Sequence, residues 1–411
     1  MFRYSEGALF CESVPLRAIA EQAGTPCYVY SANSLRHAYR AYDRAFGSIP
    51  HRVCYAVKAN SNLAVLNVLA REGAGFDIVS AGELFRVLKA GGDPSRLVFS
   101  GVGKTAKEIE FALKQGIHSF NCESEPELAL LDRIAADLQM TARFALRINP
   151  DVNAATHPYI STGLTEHKFG IDIRQAEEIY ARSFAFRSLA AEGISCHIGS
   201  QILDPAPMIE AAQKVLALAT RLRAGGHPLR HLDLGGGLGI AYRAEEESPP
   251  IEDFIERLSK PLRESGFELM VEPGRSVVGR AGVLLTQVLF RKRNGNKEFA
   301  VVDAAMNDLI RPALYQSHHE ILPLIEGGRV AIMDVVGPVC ETGDFLARGR
   351  EVAGAEQGAF FAIATAGAYG FAQSSNYNSR PRAAEVMVDG DAWRVVRNRE
   401  TLDDLVRGEC I

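Results

Sequence analysis

The chain has 411 residues, 47% hydrophobic and 23% charged, which is the balance of a globular protein with enough core for two domains. Lysine and arginine total 45 against 50 aspartate and glutamate, so the net charge of −5 argues against binding nucleic acid through overall positive charge. Seven cysteines without a CxxC pair disfavour a disulfide framework or a zinc knuckle and favour a reducing compartment.

The first residues lack a basic segment followed by an apolar run, so no signal peptide is predicted. The β-branched and aromatic segment 27–30 predicts a strand, and the amphipathic segment 35–46 predicts a helix. No apolar run reaches the roughly 18–20 residues of a membrane span, and the longest, 359–372, is broken by glycines. We therefore expect a cytoplasmic protein without a membrane segment.

Eight short apolar runs alternate with helical patterns in the first two thirds of the chain. Two of these helices are predicted at 63–72 and 106–115, each ending before a glycine. Apolar strands joined by helices indicate a parallel sheet buried on both faces, and eight of them in this length indicate a closed (β/α)8 barrel. An open doubly wound sheet is the structural alternative. The predicted strands are 53–57, 76–79, 97–99, 119–122, 144–148, 194–198, 232–234 and 269–271.

After residue 275 strand-like runs follow one another without long helices, which predicts an antiparallel β-domain. The N-terminal strand at 27–30 is expected to join it. The predicted domains are therefore a barrel at 34–280 and a β-domain made of 1–33 and 281–411. The runs concerned are 282–290, 298–302, 330–336, 360–365, 384–388 and 393–396.

In such a barrel the carboxyl ends of the strands carry the function. Lys58 closes the first strand; a solvated lysine is the ordinary interpretation, but a partly desolvated amine at this position can form a Schiff base. Polar residues and glycines follow the other strands and would gather at the same rim. They are Asp77, Ser100, Glu123, Arg147, His197, Ser200, Gly235, Gly236, Gly237, Glu272 and Arg275.

Two glycine-containing motifs resemble nucleotide sites and are rejected. The run at 234–239 lacks the last glycine of the dinucleotide fingerprint, because Ile240 stands there, so an NAD enzyme is excluded; its glycines still allow backbone N–H groups to approach a phosphate. The Gly103-Lys104-Thr105 segment lacks the earlier glycine of a P-loop, because that position is Val98. No ATP site is predicted.

Three further side chains are candidates for chemistry. Glu272 could form a structural ion pair, or it could keep the ring nitrogen of a pyridine cofactor protonated. His197 alone would more often be a structural histidine, and Cys340, beside an acid in a Gly/Pro-rich loop, is a candidate proton donor. No metal site is predicted, because histidines 157, 167, 318 and 319 show no metal-ligand spacing.

Nine motifs occur in an order that resembles the diaminopimelate decarboxylase family, barrel-type pyridoxal-phosphate enzymes of lysine biosynthesis. The resemblance spans nearly the whole chain and departs from the family at Thr342, where serine is frequent. The motifs are YAVKAN at 55–60, YISTG at 159–163, KFGI at 168–171, HIGSQI at 197–202, GGGLG at 235–239, EPGR at 272–275, NDLIRPALY at 307–315, CETGD at 340–344 and GAYG at 367–370.

The resemblance implies pyridoxal 5'-phosphate as cofactor and a homodimer whose subunits share active sites. Lys58 resembles the Schiff-base lysine, His197 the residue stacked on the cofactor ring, Glu272 the partner of the ring nitrogen and Cys340 the proton donor from the other subunit. The expected cofactor contacts are Lys58, Asp77, His197, Ser200, Gly236, Gly237, Glu272, Pro273, Gly274, Arg275 and Tyr369. The expected substrate contacts are Arg275, Arg311, Tyr315, Glu341 and Tyr369.

The expected reaction is decarboxylation of meso-2,6-diaminopimelate to L-lysine and CO2. Guanidinium groups at Arg275 and Arg311 suit a distal carboxylate, whereas enzymes that form diamines from ornithine or arginine must bind a distal cation. A carboxynorspermidine decarboxylase is the near alternative. A non-catalytic carrier of the cofactor is the distant one, disfavoured by the β-domain and its cysteine loop. The segment 159–170 is a candidate lid.

Overall fold

A computed structural model of the chain describes residues 2–153, 168–243 and 245–411. These residues form two compact units. The barrel unit consists of His37–Ile240 and Glu247–Ser276, and the β unit consists of Met1–Arg36, Ala241–Glu246 and Val277–Ile411. The short segment Ala241–Glu246, which follows the glycine run, thus belongs to the β unit although it lies inside the range predicted for the barrel.

The N-terminal residues form a small antiparallel sheet and then enter the main sheet of the β unit. The sheet contains β1 Phe2–Ser5, β2 Ala8–Cys11 and β3 Val14–Pro15, followed by helix α1 Leu16–Ala23, strand β4 Cys27–Ser31 and helix α2 Ala32–Ala45. Helix α1 buries Leu16, Ile19 and Ala20, which the helical period places on one face. That face packs into the core of the β unit.

Eight parallel strands of the barrel unit form a closed ring. Strands adjacent in the chain pair in parallel, including the fourth with the fifth, and the pairing of the last strand with the first closes the ring. The closed (β/α)8 barrel is therefore confirmed and the open sheet is excluded. The short strand β10 is not one of the eight and pairs in parallel with the last two residues of β9. The elements are β5 His51–Ala56, α3 Leu63–Arg71, β6 Gly75–Ile78, α4 Ala81–Lys89, β7 Leu97–Phe99, α5 Ala106–Gln115, β8 Ser119–Cys122, α6 Glu125–Asp137, β9 Ala142–Asn149, β10 Ile171–Asp172, α7 Ile173–Ser183, β11 Leu189–Cys196, α8 Ala206–Ala224, β12 His231–Asp233, α9 Ile251–Ser259 and β13 Glu268–Val271.

Local sequence signals fix the ends of the barrel helices. Helix α5 begins with a capping box in which the Thr105 hydroxyl accepts from the Glu108 backbone N–H and the Glu108 carboxylate accepts from that of Thr105. It ends at Gly116, which adopts the left-handed conformation that only glycine enters without strain. The predicted helix 106–115 is therefore confirmed at both ends.

Lys104, the lysine of the rejected P-loop match, has a structural role. Its ammonium donates hydrogen bonds to the carbonyl oxygens of Gly101 and Asn121, both at 2.8 Å, and to Glu127 Oε1 at 2.6 Å. The side chain is 1% exposed. Lys104 thus ties the loop after β7 to the end of β8 and to α6, and all three of its N–H groups are used.

The β unit contains a nine-stranded sheet of mixed direction. Strand β4 pairs with β14 and β20 in its middle, so the prediction that the N-terminal strand joins this domain is confirmed. The remaining elements are α10 Arg275–Val278, β14 Gly282–Asn294, β15 Lys297–Val302, α11 Arg311–Tyr315, β16 Ile321–Pro323, β17 Val330–Val336, β18 Phe345–Ala353, β19 Phe360–Ile363, β20 Ala384–Asp389, β21 Ala392–Arg397 and α12 Leu402–Leu405. In the sheet the order is β18-β17-β15-β14-β4-β20-β21, with β16 and β19 paired to each other and β19 to β14.

Two features of this sheet differ from the prediction. The pairs β15–β17 and β4–β20 are parallel, so the domain is mostly but not wholly antiparallel. Strand β18 was not predicted, because its sequence places Arg348, Gly349, Arg350 and Glu351 in the middle of the strand and shows no apolar run. Its hydrogen bonds to β17 hold it in the sheet. Among the described residues, no helix combines the length and the apolar character that crossing a membrane requires.

Replacing Lys104 with methionine should lower the free energy of unfolding by about 3–5 kcal/mol, because the buried Glu127 carboxylate loses its cation. Urea unfolding followed by circular dichroism measures this loss. The matched control is Lys107→Met in the first turn of α5, where the side chain is exposed and the expected change is within about 0.5 kcal/mol. Equal midpoints for the two variants would contradict the structural role of Lys104.

Candidate active site

Polar side chains gather at the carboxyl ends of the barrel strands, where the sequence predicted them. Most of them are buried, which is unusual for so many ionisable groups and indicates that they satisfy one another. The buried members are Asp77 on β6, Ser100 after β7, Asn121 on β8, Glu123 after β8, Arg147 on β9, Asp233 on β12, and Glu272 and Arg275 after β13. The rim thus has the composition of a functional site.

Lys58 lies in a single 3-10 turn, Val57–Ala59, directly after β5. Its ammonium forms a short ion pair with Asp77 Oδ2. Strand register explains the contact, because Ala56 of β5 lies opposite Asp77 of β6. The Asp77 carboxylate is fully buried, whereas the Lys58 side chain is 38% exposed. The Asp77 carboxylate therefore orients the Lys58 amine and leaves it accessible to solvent.

A pair of buried carboxyl groups, Asp233 and Glu272, lies in the same part of the barrel. The Asn121 side-chain nitrogen donates to Asp233 Oδ2 at 2.9 Å and to Glu272 Oε1 at 3.2 Å, so one amide bridges both. Burial raises the pKa of Glu272 well above its ordinary value, and the charges of Asp233 and Asp77 raise it further. Burial also raises the pKa of Asp233. Asp233 and Asn121 were not predicted as site residues.

His197 follows β11 and carries a neutral ring. Burial lowers its pKa well below the ordinary value, and the charges of Arg147 and Lys58 lower it further. The backbone N–H of Gly236 donates to His197 Nδ1 at 3.2 Å, which fixes Nδ1 as an acceptor. An uncharged, oriented imidazole of this kind offers a flat face for stacking on an aromatic ring.

The glycine run brings backbone close to its neighbours in a way that side chains would prevent. A Cβ on Gly236 would lie 2.1 Å from the Glu272 carbonyl oxygen, and Gly237 has a φ of +129° and would place a Cβ 2.7 Å from the Gly199 oxygen. Nearby, Arg275 Nη2 donates to the Ser200 hydroxyl at 3.1 Å. Bare backbone, a hydroxyl and a guanidinium together suit a phosphate group.

The barrel residues therefore fit a pyridine ring that carries a phosphate. The amine of Lys58 can bond a carbonyl carbon, the ring of His197 can stack, and the carboxyl of Glu272 can accept from a ring nitrogen. In addition, Asp77 Oδ1 is buried and has no hydrogen-bond partner among the described residues, as expected for a group that faces a ligand.

Glu83 is a third barrel residue that the sequence analysis missed. It lies in the first turn of α4, and its Oε2 accepts from the Val79 backbone N–H at 2.8 Å. Burial raises its pKa to about 7, an effect that the hydrogen bond from Val79 and the charge of Lys58 partly oppose. In the sequence, Glu83 is recognisable only as an acidic residue in the first turn of a helix. Nothing in the sequence indicates that it lies near Lys58.

In the β unit, Arg311 is buried and held by an aromatic ring. Its Nη1 donates to the Tyr242 hydroxyl at 2.7 Å, and its guanidinium carbon lies 4.8 Å from the centre of the Tyr242 ring. His319 packs edge-on against Tyr242. Tyr315, at the end of α11, accepts a hydrogen bond from Gln373 at 3.4 Å. Tyr242 was not predicted, because it follows the glycine run in sequence and not the NDLIRPALY motif.

The CETGD loop of the β unit presents an exposed thiol. The backbone N–H of Cys340 donates to Asn378 Oδ1 at 2.8 Å, and a hydrogen bond with Glu341 raises the pKa of the Tyr377 hydroxyl. Asp344 anchors the loop by accepting from Val339 and Met306 N–H groups. Cys340 and Glu341 are thus presented to solvent on an anchored loop.

Tyr369 of the GAYG motif has a backbone φ of +56°, an unfavourable conformation for a tyrosine. The following Gly370 is required for packing, because a Cβ there would lie 2.5 Å from the Ala366 oxygen. Non-glycine residues in this region concentrate at functional sites, since the surrounding structure must enforce them. The strain therefore agrees with the role that the sequence predicts for Tyr369.

The predicted site residues divide between the two units. The barrel unit holds Lys58, Asp77, His197, Ser200, Gly236, Gly237, Glu272, Pro273, Gly274 and Arg275, and the β unit holds Arg311, Tyr315, Cys340, Glu341 and Tyr369. Within residues 2–153, 168–243 and 245–411, no three His, Cys, Asp or Glu side chains are grouped as metal ligands.

The predicted lid lies mostly outside the described residues, as do the YISTG motif, His157 and His167. Its last residues are described. The Phe169 ring lies 4.9 Å from the Arg147 guanidinium carbon, and the Gly170 backbone N–H donates to Glu123 Oε2 at 2.8 Å. Since Glu123 also accepts from Arg147 at 2.9 Å, these residues form one network at the rim.

Comparisons with known proteins agree with this site. Residues 32–279 match the model of the pyridoxal-dependent decarboxylase, pyridoxal binding domain. The chain is 54% identical to the diaminopimelate decarboxylase of Pseudomonas aeruginosa over 412 residues, covering 100% of this chain and 99% of that protein. It is 53% identical to that of Vibrio cholerae over 406 residues, covering 98% and 97%.

Solved structures give the same answer. The crystal structure of diaminopimelate decarboxylase from Helicobacter pylori, complexed with L-lysine, has a TM-score of 0.92 and 44% identity, covering 95% of this chain and 98% of that one. The enzyme from M. jannaschii, in co-complex with L-lysine, has a TM-score of 0.96 and 35% identity, covering 100% and 98%. The chain therefore belongs to the pyridoxal-dependent decarboxylases and, within them, to the diaminopimelate decarboxylase family.

Proposed function

We propose that the chain performs its family's reaction, the decarboxylation of meso-2,6-diaminopimelate to L-lysine and CO2, with Lys58 and Glu272 as the two residues that make it possible. The observation that carries this assignment is the combination of an accessible amine, paired with Asp77, and a buried carboxyl in one barrel. An amine can hold an aldehyde cofactor, and a carboxyl can hold the proton on its ring nitrogen.

When bound, pyridoxal 5'-phosphate supplies a protonated pyridine ring that accepts the electron pair left behind as CO2 departs. In this assignment Lys58 binds the cofactor's carbonyl carbon, His197 stacks on the ring and Glu272 keeps the ring nitrogen protonated. The other residues proposed to hold the cofactor are Asp77, Ser200, Gly236, Gly237, Pro273, Gly274, Arg275 and Tyr369. The close backbone approach at Gly236 and Gly237 supports a phosphate contact there.

The substrate carries two carboxylates, one lost as CO2 and one retained at the distal end. We assign the retained carboxylate to guanidinium groups, because they form paired hydrogen bonds with it. Arg311 supports this assignment, since its orientation is fixed by Tyr242 and its burial strengthens the interaction. The proposed substrate contacts are Arg275, Arg311, Tyr315, Glu341 and Tyr369.

Cys340 is proposed to deliver the proton that replaces CO2 on the substrate's α-carbon. Its exposure supports a role in completing a site on a second subunit, because a thiol open to solvent in one chain can enter the active site of another. We therefore propose a homodimer in which each Cys340 serves the partner's Lys58. The described residues hold no helix that could cross a membrane and all seven cysteines are free, which supports the proposal of a cytoplasmic enzyme.

Purified protein supplied with pyridoxal 5'-phosphate should release CO2 from meso-diaminopimelate and form L-lysine, with much lower turnover of carboxynorspermidine. Lys58→Ala should lose nearly all turnover and the visible absorbance of retained cofactor, because the amine that binds it is gone. Coupled CO2 release and absorbance spectra measure both, with Lys107→Ala as the control. Comparable turnover of the polyamine acid, or an unchanged spectrum in Lys58→Ala, would refute the respective assignment.

Tyr242→Phe should raise KM about tenfold with a smaller change in kcat, because Arg311 loses one charge-assisted hydrogen bond but keeps the ring beneath it. Steady-state kinetics with meso-diaminopimelate measure the split. The control is Tyr4→Phe in the same unit, which removes a hydroxyl bonded to the Pro323 carbonyl and should leave KM unchanged. A loss in kcat alone would show that Tyr242 does not act through substrate binding.

Cys340→Ala should lower turnover by about a hundredfold or more, while cofactor content stays the same, because proton delivery follows CO2 loss. Mixing it with Lys58→Ala should restore activity towards about a quarter of the wild-type value, since half of the random dimers contain one intact site. The other exposed cysteine supplies the control, Cys410→Ala, expected to be fully active. Failure to regain activity after confirmed subunit exchange would rule out shared sites.

A further inference from the structure

Asp233 and Glu272 are held side by side by the same neighbours. The Asn121 amide nitrogen lies 2.9 Å from Asp233 Oδ2 and 3.2 Å from Glu272 Oε1. Gly235 also contacts both residues: its N–H donates to Asp233 Oδ1 at 3.0 Å, and its carbonyl accepts from the Glu272 N–H at 2.8 Å. The two carboxyl groups are therefore fixed next to each other by backbone and side chain.

Among the described residues, no cation forms an ion pair with Asp233 or Glu272. The nearby ammonium of Lys58 already forms an ion pair with Asp77, a third carboxylate. Asp233 is 0% exposed and Glu272 is 7% exposed, so water does not screen the repulsion between them. The titratable and polar groups that face the pair from the surrounding strands and turns are Lys58, Asp77, Ser100, Asn121 and the thiols of Cys54 and Cys196.

Two adjacent buried carboxyl groups cannot both ionise near neutral pH, because like charges in a medium of low polarity repel strongly. Burial and the neighbouring carboxylates raise the pKa of Glu272 well above its ordinary value, and burial raises that of Asp233. The protons of such a pair belong to the pair and not to either residue. One proton therefore remains on the two groups together.

We propose that Asp233 is a positioning residue that shares one proton with Glu272 in the cofactor-free protein and releases it when a protonated ring nitrogen takes its place beside Glu272. This inference rests on the proposed function. The proton goes to solvent when the ring arrives protonated, and to the ring nitrogen when the ring arrives neutral. In both cases Glu272 and Asp233 become carboxylates, and the ring nitrogen carries one proton.

The shared proton explains why an acid, and not an amide, occupies position 233. An asparagine could still accept from the Gly235 N–H, but it could hold no proton against Glu272. Without the charge of Asp233, Glu272 would lose its proton at a lower pH, and an unpaired carboxylate in the empty barrel is a costly state for a buried charge. Asp233 removes this cost while keeping two negative charges ready for the ring.

Counting protons on cofactor binding tests the proposal. Titration calorimetry of cofactor-free protein with pyridoxal 5'-phosphate, in buffers of different ionisation enthalpy at one pH, gives the number of protons exchanged. At a pH above the pKa of Glu272 in Asp233→Asn, the wild-type protein should release about one proton more than that variant, because contributions from free cofactor and Lys58 are the same in both. Equal numbers would overturn the proposal.

Ser100→Ala is the matched control. It removes a hydroxyl 3.4 Å from Glu272 Oε1 in the same buried group but leaves both carboxyls, so its proton count should equal that of the wild type. The outcome also separates two failures. Wild-type protein that does not bind the cofactor would refute the proposed function, whereas tight binding with equal proton counts would refute only the shared proton.

Unfolding of the cofactor-free protein gives a second measurement that does not depend on cofactor binding. A carboxyl whose pKa is raised on folding keeps its proton where the unfolded chain has lost it, so stability falls as the pH rises above about 4. Relative to Asp233→Asn, the wild-type unfolding constant should therefore increase about tenfold per pH unit over the range in which Glu272 of the variant has lost its proton and the wild-type pair has kept one. Parallel pH profiles for the two proteins would contradict the proposal.

Discussion

The main electrostatic constraint on the barrel is the pairing of its buried carboxylates with cations. Around the rim, Asp77 is paired with Lys58, Glu123 with Arg147 and Glu127 with Lys104. Asp233 and Glu272 have an amide and each other instead of a cation. In a diaminopimelate decarboxylase this imbalance has a purpose, because a barrel that neutralised every carboxylate internally would have no remaining attraction for a cationic ring nitrogen. Among the described residues, the site therefore lacks a positive charge at the place proposed for the ring nitrogen of the cofactor.

The β unit restrains the Arg311 guanidinium and the loop that carries the Cys340 thiol. Arg311 is clamped by the hydroxyl and the ring face of Tyr242, so it gives up rotamer freedom before substrate arrives. Asp344 fixes the Cys340 loop through two backbone N–H groups, which links it to the segment that precedes Arg311. Asp344 thus connects the loop of the proposed proton donor to the segment that carries the proposed substrate-binding arginine.

Patterns that recur along the chain predicted the architecture well. Buried strands such as 97–99 and capped helices such as 106–115 follow from local sequence, and so does the rim on which Lys58 and Glu272 lie. What the sequence did not reveal depends on contacts distant along the chain. Asn121 of β8 contacts Asp233 of β12 only in the folded barrel. Tyr242 contacts Arg311 because the short segment Ala241–Glu246 belongs to the β unit. Strand β18 escaped notice because its pairing with β17, and not its composition, makes it a strand.

The pairing of β4 has a consequence for synthesis on the ribosome. Residue 27 lies beside residue 285 on one side and residue 384 on the other, so this strand cannot be paired on both sides until residue 384 has emerged. The barrel, whose strands pair mostly with their neighbours in sequence, can meanwhile assemble vectorially. A strand with five buried residues must then wait with an unpaired edge during translation, and such an edge is open to pairing with other chains.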